Sequence, residues 1–201
     1  MNEIAYSFLQ VREVFHLEFL RMLARKLKPD MYVLKGGVNL RLFFRSPRYS
    51  EDIDLDVINV DVMKLQDTVM GILRSPSLRS SLMTYGIRDI GAPDLSKAKQ
   101  PETTQRFKTH LFTTGGEDLY TKIECSRRGA AEGVCVEHVD QQTLRRYRLT
   151  PFICPHYGAQ AAFLQKINAL AGRVSVQARD IFDLFLLGED SLDHRSSLDD
   201  S

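Results

Sequence analysis

Carboxylates recur at every second position of Asp52-Ile53-Asp54-Leu55-Asp56, with an apolar residue between them. Residues two apart in a β-strand project from the same face, so the side chains of Asp52 and Asp54 are predicted to lie together. Two neighbouring carboxylates repel each other and hold protons more tightly unless a cation neutralises them. Mg²⁺ or Mn²⁺ is the predicted occupant, because these ions take oxygen ligands and keep coordination sites open for phosphates.

A third acid from an adjacent strand would complete a two-metal site, in which paired ions hold the attacking and leaving oxygens. Glu124, in a second strand-like segment, is the candidate. The alternative is that the alternating acids are only the solvated face of a half-exposed edge strand. We expect Asp56, at the end of its strand, to lie at the surface rather than to bind metal.

Two glycines, Gly36 and Gly37, separate a short apolar run from a helical pattern. Glycines at such a turn allow the backbone to approach a phosphate closely, with helix N–H groups pointing at the anion. A plain strand-to-helix turn is the alternative, but the acidic strand that follows favours a nucleotidyl-transfer site. Lys35 is predicted to point either into the edge of the core or toward the nucleotide, and Arg48 either steadies the acidic strand or contacts phosphate.

A second group of charged residues lies near the C-terminus. Lys166 and Arg173 share one face of a predicted helix, where both cations can face phosphates. Arg179 and Asp183 are four residues apart and have opposite charges. This pair fits either a functional motif or a salt bridge on the helix surface, which would contribute only a few tenths of a kcal/mol.

The elements that position these residues follow from hydrophobic periodicity. Helical spacing predicts helices over 6–28, 38–44, 60–73, 158–172 and 176–187. Short apolar or alternating runs predict strands over 31–34, 52–58, 106–113, 119–126 and 134–139, with 106–113 and 119–126 forming a hairpin. The segment 74–105 is predicted to be mostly loop, with one strand near 87–90. This order of elements predicts an α/β (α+β) fold, a mixed β-sheet flanked by helices, with C-terminal helices.

The 201-residue chain carries 27 Lys and Arg against 26 Asp and Glu, a formal net charge of +1. This balance excludes a uniformly basic nucleic-acid coat protein. The charges are nevertheless segregated, because 141–179 contains only basic charges, whereas acids dominate 51–67 and 180–201. An acidic strand between basic segments suits a cleft that binds metal and phosphates together.

The cysteines and histidines form no recognisable metal-binding pattern. The three cysteines contain no CxxC pair and match no zinc framework, which favours a reducing compartment, and the five histidines are expected in ordinary surface or hydrogen-bonded positions. The N-terminus lacks the features of a signal peptide, and no apolar run is long enough to span a bilayer. We therefore predict a cytoplasmic protein with no membrane partner.

Two motif blocks resemble those of the AbiEii/AbiGii-type toxin nucleotidyltransferases, members of the DNA polymerase β-like superfamily from abortive-infection and toxin–antitoxin systems. The first block is KGGVNL at 35–40 followed by RYSEDIDLD at 48–56, which resembles the family's KGG-x-x-L and R-x-S-x-D-I-D-L. The second is KINALAGR at 166–173 followed by RDIFDL at 179–184, which is similar to K-x-x-A-L-x-x-R and R-D-x-x-D-L. The resemblance covers roughly residues 31–187.

The resemblance implies a nucleotidyltransferase fold, dependence on Mg²⁺ or Mn²⁺, and transfer of a nucleotide from an NTP to RNA, notably the tRNA 3′ end. Carried over residue by residue, Gly36 and Gly37 would bracket the triphosphate and Asp52 and Asp54 would bind metal. The resemblance further implies roles for three other residues, namely Ser50 as a phosphate contact or modification site, Lys166 as the group that neutralises phosphate, and Asp180 as the polar residue of the last motif.

The resemblance also frames the domain organisation. We expect a nucleotidyltransferase core over 1–150, a C-terminal helical part over 151–190 that is shorter than in other family members, and a disordered tail over 191–201. The leading hypothesis is a toxin that modifies RNA and is held in check by a cognate antitoxin. The alternatives are a truncated or degenerate, non-catalytic binding or regulatory module, or an enzyme that modifies a protein or small-molecule hydroxyl.

Overall fold

The computed structural model describes residues 6–94, 103–127, 129, 132–172 and 175–196, with side chains of the last helix described up to Gly188. Along the chain the elements are α1 (Phe8–Leu23), β1 (Tyr32–Lys35), α2 (Gly36–Phe43), β2 (Ile53–Val57), α3 (Val62–Leu73), α4 (Pro76–Met83), β3 (Ile87–Gly91), β4 (Thr104–Thr113), β5 (Asp118–Ser126), β6 (Val134–His138), α5 (Gln141–Arg146), β7 (Ile153–Tyr157), α6 (Ala159–Ala171) and α7 (Ala178–Ser196).

The seven strands form one mixed sheet in the order β3-β4-β5-β2-β1-β7-β6. β2 is antiparallel to β1 and parallel to β5, and the registers pair Asp54 with both Lys35 and Glu124. β2 is therefore the central strand, so the interpretation of its acids as the solvated face of an edge strand is wrong. A carboxylate in the middle of a sheet must be neutralised by a neighbour or a ligand.

Helix α1 packs against the sheet that contains the acidic strand β2. Its N-terminus is closed by a capping box between Ser7 and Gln10. One face, which includes Phe15 and Phe19, is buried in the main hydrophobic core with β2, β5, α3 and α4. α1 ends at Leu23, five residues before the end that periodicity predicted, because tight turns replace the helix before Pro29.

The predicted mixed α/β architecture is confirmed, but three elements were missed. α4 lies in a segment rich in turn residues, and α5 has six residues, too few for a clear helical period. β7 contains Pro155, and proline is disfavoured inside a sheet because it lacks the N–H group that donates to the neighbouring strand. β7 nevertheless lies between β1 and β6. This strand brings the segment before the C-terminal helices next to the glycine turn.

Helix α7 is longer than the sequence pattern predicts. It continues to Ser196, into the stretch expected to be a disordered tail, while 197–201 lie outside the described residues. Adding a residue to an existing helix requires far less ordering than starting one, so the packed first part of α7 propagates into the polar end.

Candidate active site

Three carboxylates meet where β2 and β5 run side by side. Asp52 directly precedes β2, Asp54 lies in it, and Glu124 is the register partner of Asp54 on β5. The Nζ atom of Lys122 lies 3.3 Å from Asp52 Oδ2 and 3.3 Å from Glu124 Oε2. The structure thus brings together the three acids predicted as metal ligands, with a lysine that the sequence analysis did not place among them.

The Asp54 carboxylate stands apart from the other two. In the part of the chain that the structure describes, it has no hydrogen bond or ion pair. Burial, and then the negative charge of Glu124, raise the pKa of Asp54, and the attraction of Lys122 and Lys35 offsets this only in part. An ionised carboxylate in such surroundings is costly without a cation.

Glu124 is held differently. Its Oε2 accepts a hydrogen bond from Arg106 Nε at 2.8 Å besides the contact with Lys122. Burial alone would raise the pKa of Glu124, but Arg106 and Lys122 together lower it. Glu124 is therefore ionised and already neutralised, so as a metal ligand it would have to share its charge with these cations. Its assignment as third ligand stays a prediction.

Hydrogen bonds fix the chain just before β2. The Ser50 hydroxyl donates to the Asp52 carbonyl at 3.0 Å, and the Thr121 hydroxyl donates to the Glu51 carbonyl at 2.7 Å. The buried His16 of α1 in turn contacts Thr121 Oγ1 through Nε2 at 2.9 Å. Asp52 is thus positioned by its backbone, which leaves its side chain to face the site.

The glycine turn lies against the acids. Gly36 has a φ of +71°, and a Cβ atom there would overlap the Asp54 carboxylate, while a Cβ on Gly37 would lie 2.8 Å from Ser50 Oγ. Lys35, the N-cap residue of α2, makes no capping hydrogen bond with its side chain. The N–H groups in the first turn of this helix are therefore not occupied by their own cap residue, as an anion site requires.

Replacing Gly36 by alanine should damage this turn. The left-handed backbone alone costs an alanine about 1–2 kcal/mol, and the new methyl group displaces Asp54. We expect lower stability in urea unfolding together with weaker divalent-ion binding. Gly71→Ala is the matched control, since Gly71 lies in α3 with nothing within 4 Å of the added carbon, and it should stabilise by about 0.5–1 kcal/mol. Equal effects of the two changes would contradict this description of the turn.

A cavity of about 590 Å³ opens between this turn and the C-terminal helices. Lys35, Gly36 and Asp54 line it on the sheet side, and Lys166 of α6 and Asp180 of α7 line it on the other. The predicted metal ligands, the glycine turn and the C-terminal motif come from separate parts of the sequence. The structure therefore places residues of all three along the same cavity. Its size suits a nucleotide, because pockets for small ligands typically have volumes of a few hundred Å³ or more.

Asp183 joins the two motif blocks. It is fully buried, and its carboxylate accepts hydrogen bonds from Arg48, at 2.8 and 3.0 Å from Nη2, and from Lys166 Nζ. The interpretation of Asp183 as half of a surface salt bridge with Arg179 is wrong, since Arg179 is exposed and Asp183 faces inward. Arg48 here holds α7 against the start of β2, and any contact with phosphate stays a prediction.

Asp56 is buried rather than at the surface, which corrects the expectation for this residue. Lys35 Nζ donates to its Oδ1 at 2.5 Å, and the Tyr157 hydroxyl donates to its Oδ2 at 2.7 Å. The residue lies within β2, one position before its end, and the neighbouring β1 and β7 cover it. Asp56 therefore positions Lys35 beside the cavity.

Replacing Tyr157 by phenylalanine removes one of the two side chains that, within the described residues, donate to this buried carboxylate. Hydrogen bonds to charged groups contribute roughly 1.5–3 kcal/mol, so Tyr157→Phe should lower the free energy of unfolding by that order. Tyr120→Phe, at a tyrosine that is 40% exposed, should change it by less than about 0.5 kcal/mol. Urea titrations of both variants test this, and a Tyr157→Phe variant as stable as the parent protein would count against the arrangement.

Two further predicted site residues, Arg173 and Asp180, have different outcomes. Arg173 lies outside the described residues. Asp180 is buried and accepts a hydrogen bond from the Gln177 amide at the start of α7. Sequence reasoning overlooked Tyr157 because β7 was missed, and it overlooked Lys122 because only the acids of the predicted strands were considered as site residues. The two-residue spacing of Lys122 and Glu124 was the signal that could have found the lysine.

Comparison with solved structures identifies the class of fold. The chain aligns with MenT4, a nucleotidyltransferase toxin from Mycobacterium tuberculosis, with a TM-score of 0.65 and 18% identity, over 88% of this chain and 57% of that one. It aligns with JHP933 from Helicobacter pylori with a TM-score of 0.60 and 21% identity, over 89% and 65% of the two chains. The chain thus has the fold of these proteins and spans less than two thirds of their length.

Comparison of the sequence with family profiles identifies the family. The profile of the nucleotidyl transferase AbiEii toxin family, type IV toxin–antitoxin system, matches residues 18–200. The chain therefore belongs to this family, as the two motif blocks predicted. The search of curated proteins gave no match. Among the described residues, no helix has both the length and the apolar character needed to cross a membrane.

Proposed function

We propose that the chain is a metal-dependent nucleotidyltransferase that moves a nucleotide from an NTP to an RNA acceptor, the 3′ end of tRNA. It acts in the cytoplasm as the toxin of a phage-defence system and is held in check by a cognate antitoxin. The observation that carries this proposal is the Asp54 carboxylate, which lies in a central strand beside Asp52 and Glu124 and faces the cavity without a hydrogen-bonding or ion-pairing partner among the described residues.

Nucleotidyltransferases generally use divalent metal ions, and the donors present here fit Mg²⁺ or Mn²⁺, because Asp52, Asp54 and Glu124 offer only carboxylate oxygens. Asp52 and Asp54 would hold the ion, with Glu124 as a third ligand. When bound, the ion supplies positive charge to the phosphates of the NTP. In the transfer, the acceptor hydroxyl loses its proton to solvent, its oxygen bonds to the α-phosphorus, and the bond between that phosphorus and pyrophosphate breaks.

The remaining residues of the site bind and orient phosphates. The first N–H groups of α2, at Gly36 and Gly37, would donate to the triphosphate. Lys35 and Lys166 lie on opposite sides of the cavity, each held by a buried carboxylate, so their charges are fixed in place before substrate binds. Preorganised cations of this kind stabilise the charge that develops on the departing pyrophosphate.

Exposed arginines support the choice of an RNA acceptor. Arg145, Arg146 and Arg148, at and just after the end of α5, are all exposed, and they belong to the stretch 141–179 whose charges are all basic. Contacts between such cations and phosphates provide most of the sequence-independent affinity for a nucleic-acid backbone. Binding should therefore weaken steeply as salt is added.

The test is incubation of the protein with each NTP labelled at the α-phosphate, Mg²⁺ and total RNA. We expect label in the tRNA fraction, its loss when the metal is chelated, and its loss in Asp54→Asn. Asp118→Asn makes the same change at a half-exposed position of β5 and should retain the activity. Label in protein or in a small molecule would instead identify a different acceptor.

One observation favours the non-catalytic alternative. The Lys122 ammonium group lies between Asp52 and Glu124 and partly neutralises both. Burial would lower the pKa of Lys122, but Asp52 and Glu124 raise it on balance, so the lysine is charged. If Lys122 permanently replaces a metal ion, the protein binds neither Mn²⁺ nor NTP, and no acceptor is labelled. That combined result would reject both catalytic hypotheses.

A further inference from the structure

A second group of potential metal ligands lies at the edge of the sheet, where β6 pairs with β7. Cys135 and Glu137 are two residues apart on β6, and the register places His156 of β7 opposite Cys135. One ligand atom from each of the three lies within 4.8 Å of the other two. The group is distinct from the carboxylates of Asp52, Asp54 and Glu124.

His156 is oriented as a metal ligand would be. It is 2% exposed, and its ring is stacked on Phe43 with centroids 3.6 Å apart. Asn39 Nδ2 donates to the Tyr157 carbonyl at 2.8 Å, which turns Asn39 Oδ1 toward the ring, 3.0 Å from His156 Nδ1. Nδ1 must therefore carry a proton and donate it to Asn39 Oδ1 and the Tyr157 carbonyl.

The other ring nitrogen points at the cysteine and the glutamate. Within the described residues, His156 Nε2 is buried without a hydrogen-bond partner. Its nearest carboxylate oxygen, Glu137 Oε2, lies 3.5 Å away. Nitrogen and oxygen ligands of a tetrahedral zinc ion are separated by roughly 3.3–3.5 Å, given bond lengths of about 2.0–2.2 Å. An Nδ1–H bound to a carbonyl and a free Nε2 are the usual arrangement of a zinc-bound histidine.

We propose that Cys135, Glu137 and His156 bind one divalent transition-metal cation of the zinc type. Sulfur, imidazole nitrogen and carboxylate oxygen together suit Zn²⁺, whereas Mg²⁺ and Ca²⁺ take oxygen ligands alone. Three protein ligands leave a fourth position for water. Glu137 is 61% exposed and can swing to complete the coordination. On binding, the sulfur–metal bond replaces the thiol S–H bond, and the proton leaves to solvent.

The metal site would link the edge strand β6 to the part of the sheet that lies beside the candidate active site. Among the strands that the structure describes, β6 pairs only with β7, and Tyr157 of β7 donates a hydrogen bond to the buried Asp56. Asn39, which orients the His156 ring, belongs to the helix that begins at the glycine turn. Metal binding would therefore stabilise β6, β7 and α2 together, so the cation has a structural role.

The test is titration of the metal-free full chain with Co²⁺ in excess Mg²⁺, which keeps the carboxylate site occupied. We expect one equivalent of Co²⁺ bound with a thiolate-to-cobalt charge-transfer band and tetrahedral d–d absorption. Cys135→Ser should abolish the charge-transfer band, and Glu137→Gln should weaken binding by roughly 10-fold or more. His138→Gln, an exposed histidine on the same strand, is the matched control and should bind Co²⁺ as the parent chain does.

Zinc should also raise the unfolding temperature of the parent chain but not that of Cys135→Ser. The absence of a charge-transfer band in the parent chain would overturn the proposal, as would its persistence in Cys135→Ser, where Cys125 and Cys154 remain. These readouts do not depend on nucleotidyl transfer. A catalytically inactive protein can therefore still confirm the metal site, and an active one can still refute it.

Discussion

Asp54→Asn is expected to reduce nucleotidyl transfer by at least about a thousandfold, while the metal-free protein becomes more stable. The substitution keeps the shape of the side chain but removes the charge that would hold the divalent ion. Removal of a single group that stabilises transition-state charge typically costs 10²–10³ in rate, and loss of a metal ligand removes more than one such interaction.

The gain in stability follows from the surroundings of Asp54. Burial and the nearby Glu124 raise the pKa of this carboxyl, so the folded chain binds its proton more tightly than the unfolded chain does. Its contribution to stability is therefore lost as pH rises from the ordinary value, about 3.9, through the raised pKa. At neutral pH the ionised group destabilises the metal-free fold, and asparagine removes that cost.

Urea unfolding with chelator and with Mg²⁺ measures both effects. Without metal, Asp54→Asn should exceed the parent protein in stability at pH 7. The difference should shrink as pH falls through the raised pKa of Asp54 and should vanish below the ordinary value, about 3.9. With Mg²⁺, only the parent protein should gain stability. Asp118→Asn should show neither behaviour, because His110 pairs with Asp118 on the surface. A destabilised Asp54→Asn variant would mean that Asp54 has a structural partner.

Asp183→Asn is expected to lower the free energy of unfolding by about 3–5 kcal/mol, because it leaves two cations without their shared buried counter-charge. Asp183 is fully buried, whereas the side chains of Arg48 and Lys166 are 29% and 19% exposed. The residue joins the segment before β2 to both α6 and α7. Its loss should therefore also release the C-terminal helices from the cavity.

Two measurements check this expectation. Urea titration should give the loss of stability, and hydrogen exchange should show faster exchange in α6 and α7 than in α1. Arg179→Gln, one turn before Asp183 on the exposed face of α7, is the control and should change stability by less than about 0.5 kcal/mol. If the two variants lose similar amounts, Asp183 acts as the surface residue that sequence spacing suggested.

The parts of the site that sequence predicted are those determined by local periodicity. Alternation in 52–56 places Asp54 and Asp56 on one face of a strand, and the glycine pair at 36–37 does mark the junction of β1 and α2. The mixed sheet follows from the same patterns. Such features depend on residues a few positions apart, so a single sequence contains them.

The features that sequence could not predict depend on residues far apart in the chain. Asp183 meets Arg48 across 135 positions, and Tyr157 meets Asp56 across 101. Whether a charged residue on a helix is solvated or buried depends on which element covers it, and no helical period contains that information. His156 and Cys135 illustrate the same limit, because β7 interrupts its own pattern with Pro155 and the spacing of the two residues resembles no zinc motif.

The most direct test of the account is the position of Mn²⁺ in crystals grown with an NTP analogue whose α–β bridge cannot be cleaved. Anomalous scattering locates the ion independently of the protein atoms. We expect Mn²⁺ coordinated by Asp52 and Asp54, with the α-phosphate as a further ligand and the base in the cavity between the glycine turn and α6. A nucleotide bound elsewhere, or Lys122 in place of the ion with nucleotide absent at saturating concentration, would contradict the proposed function.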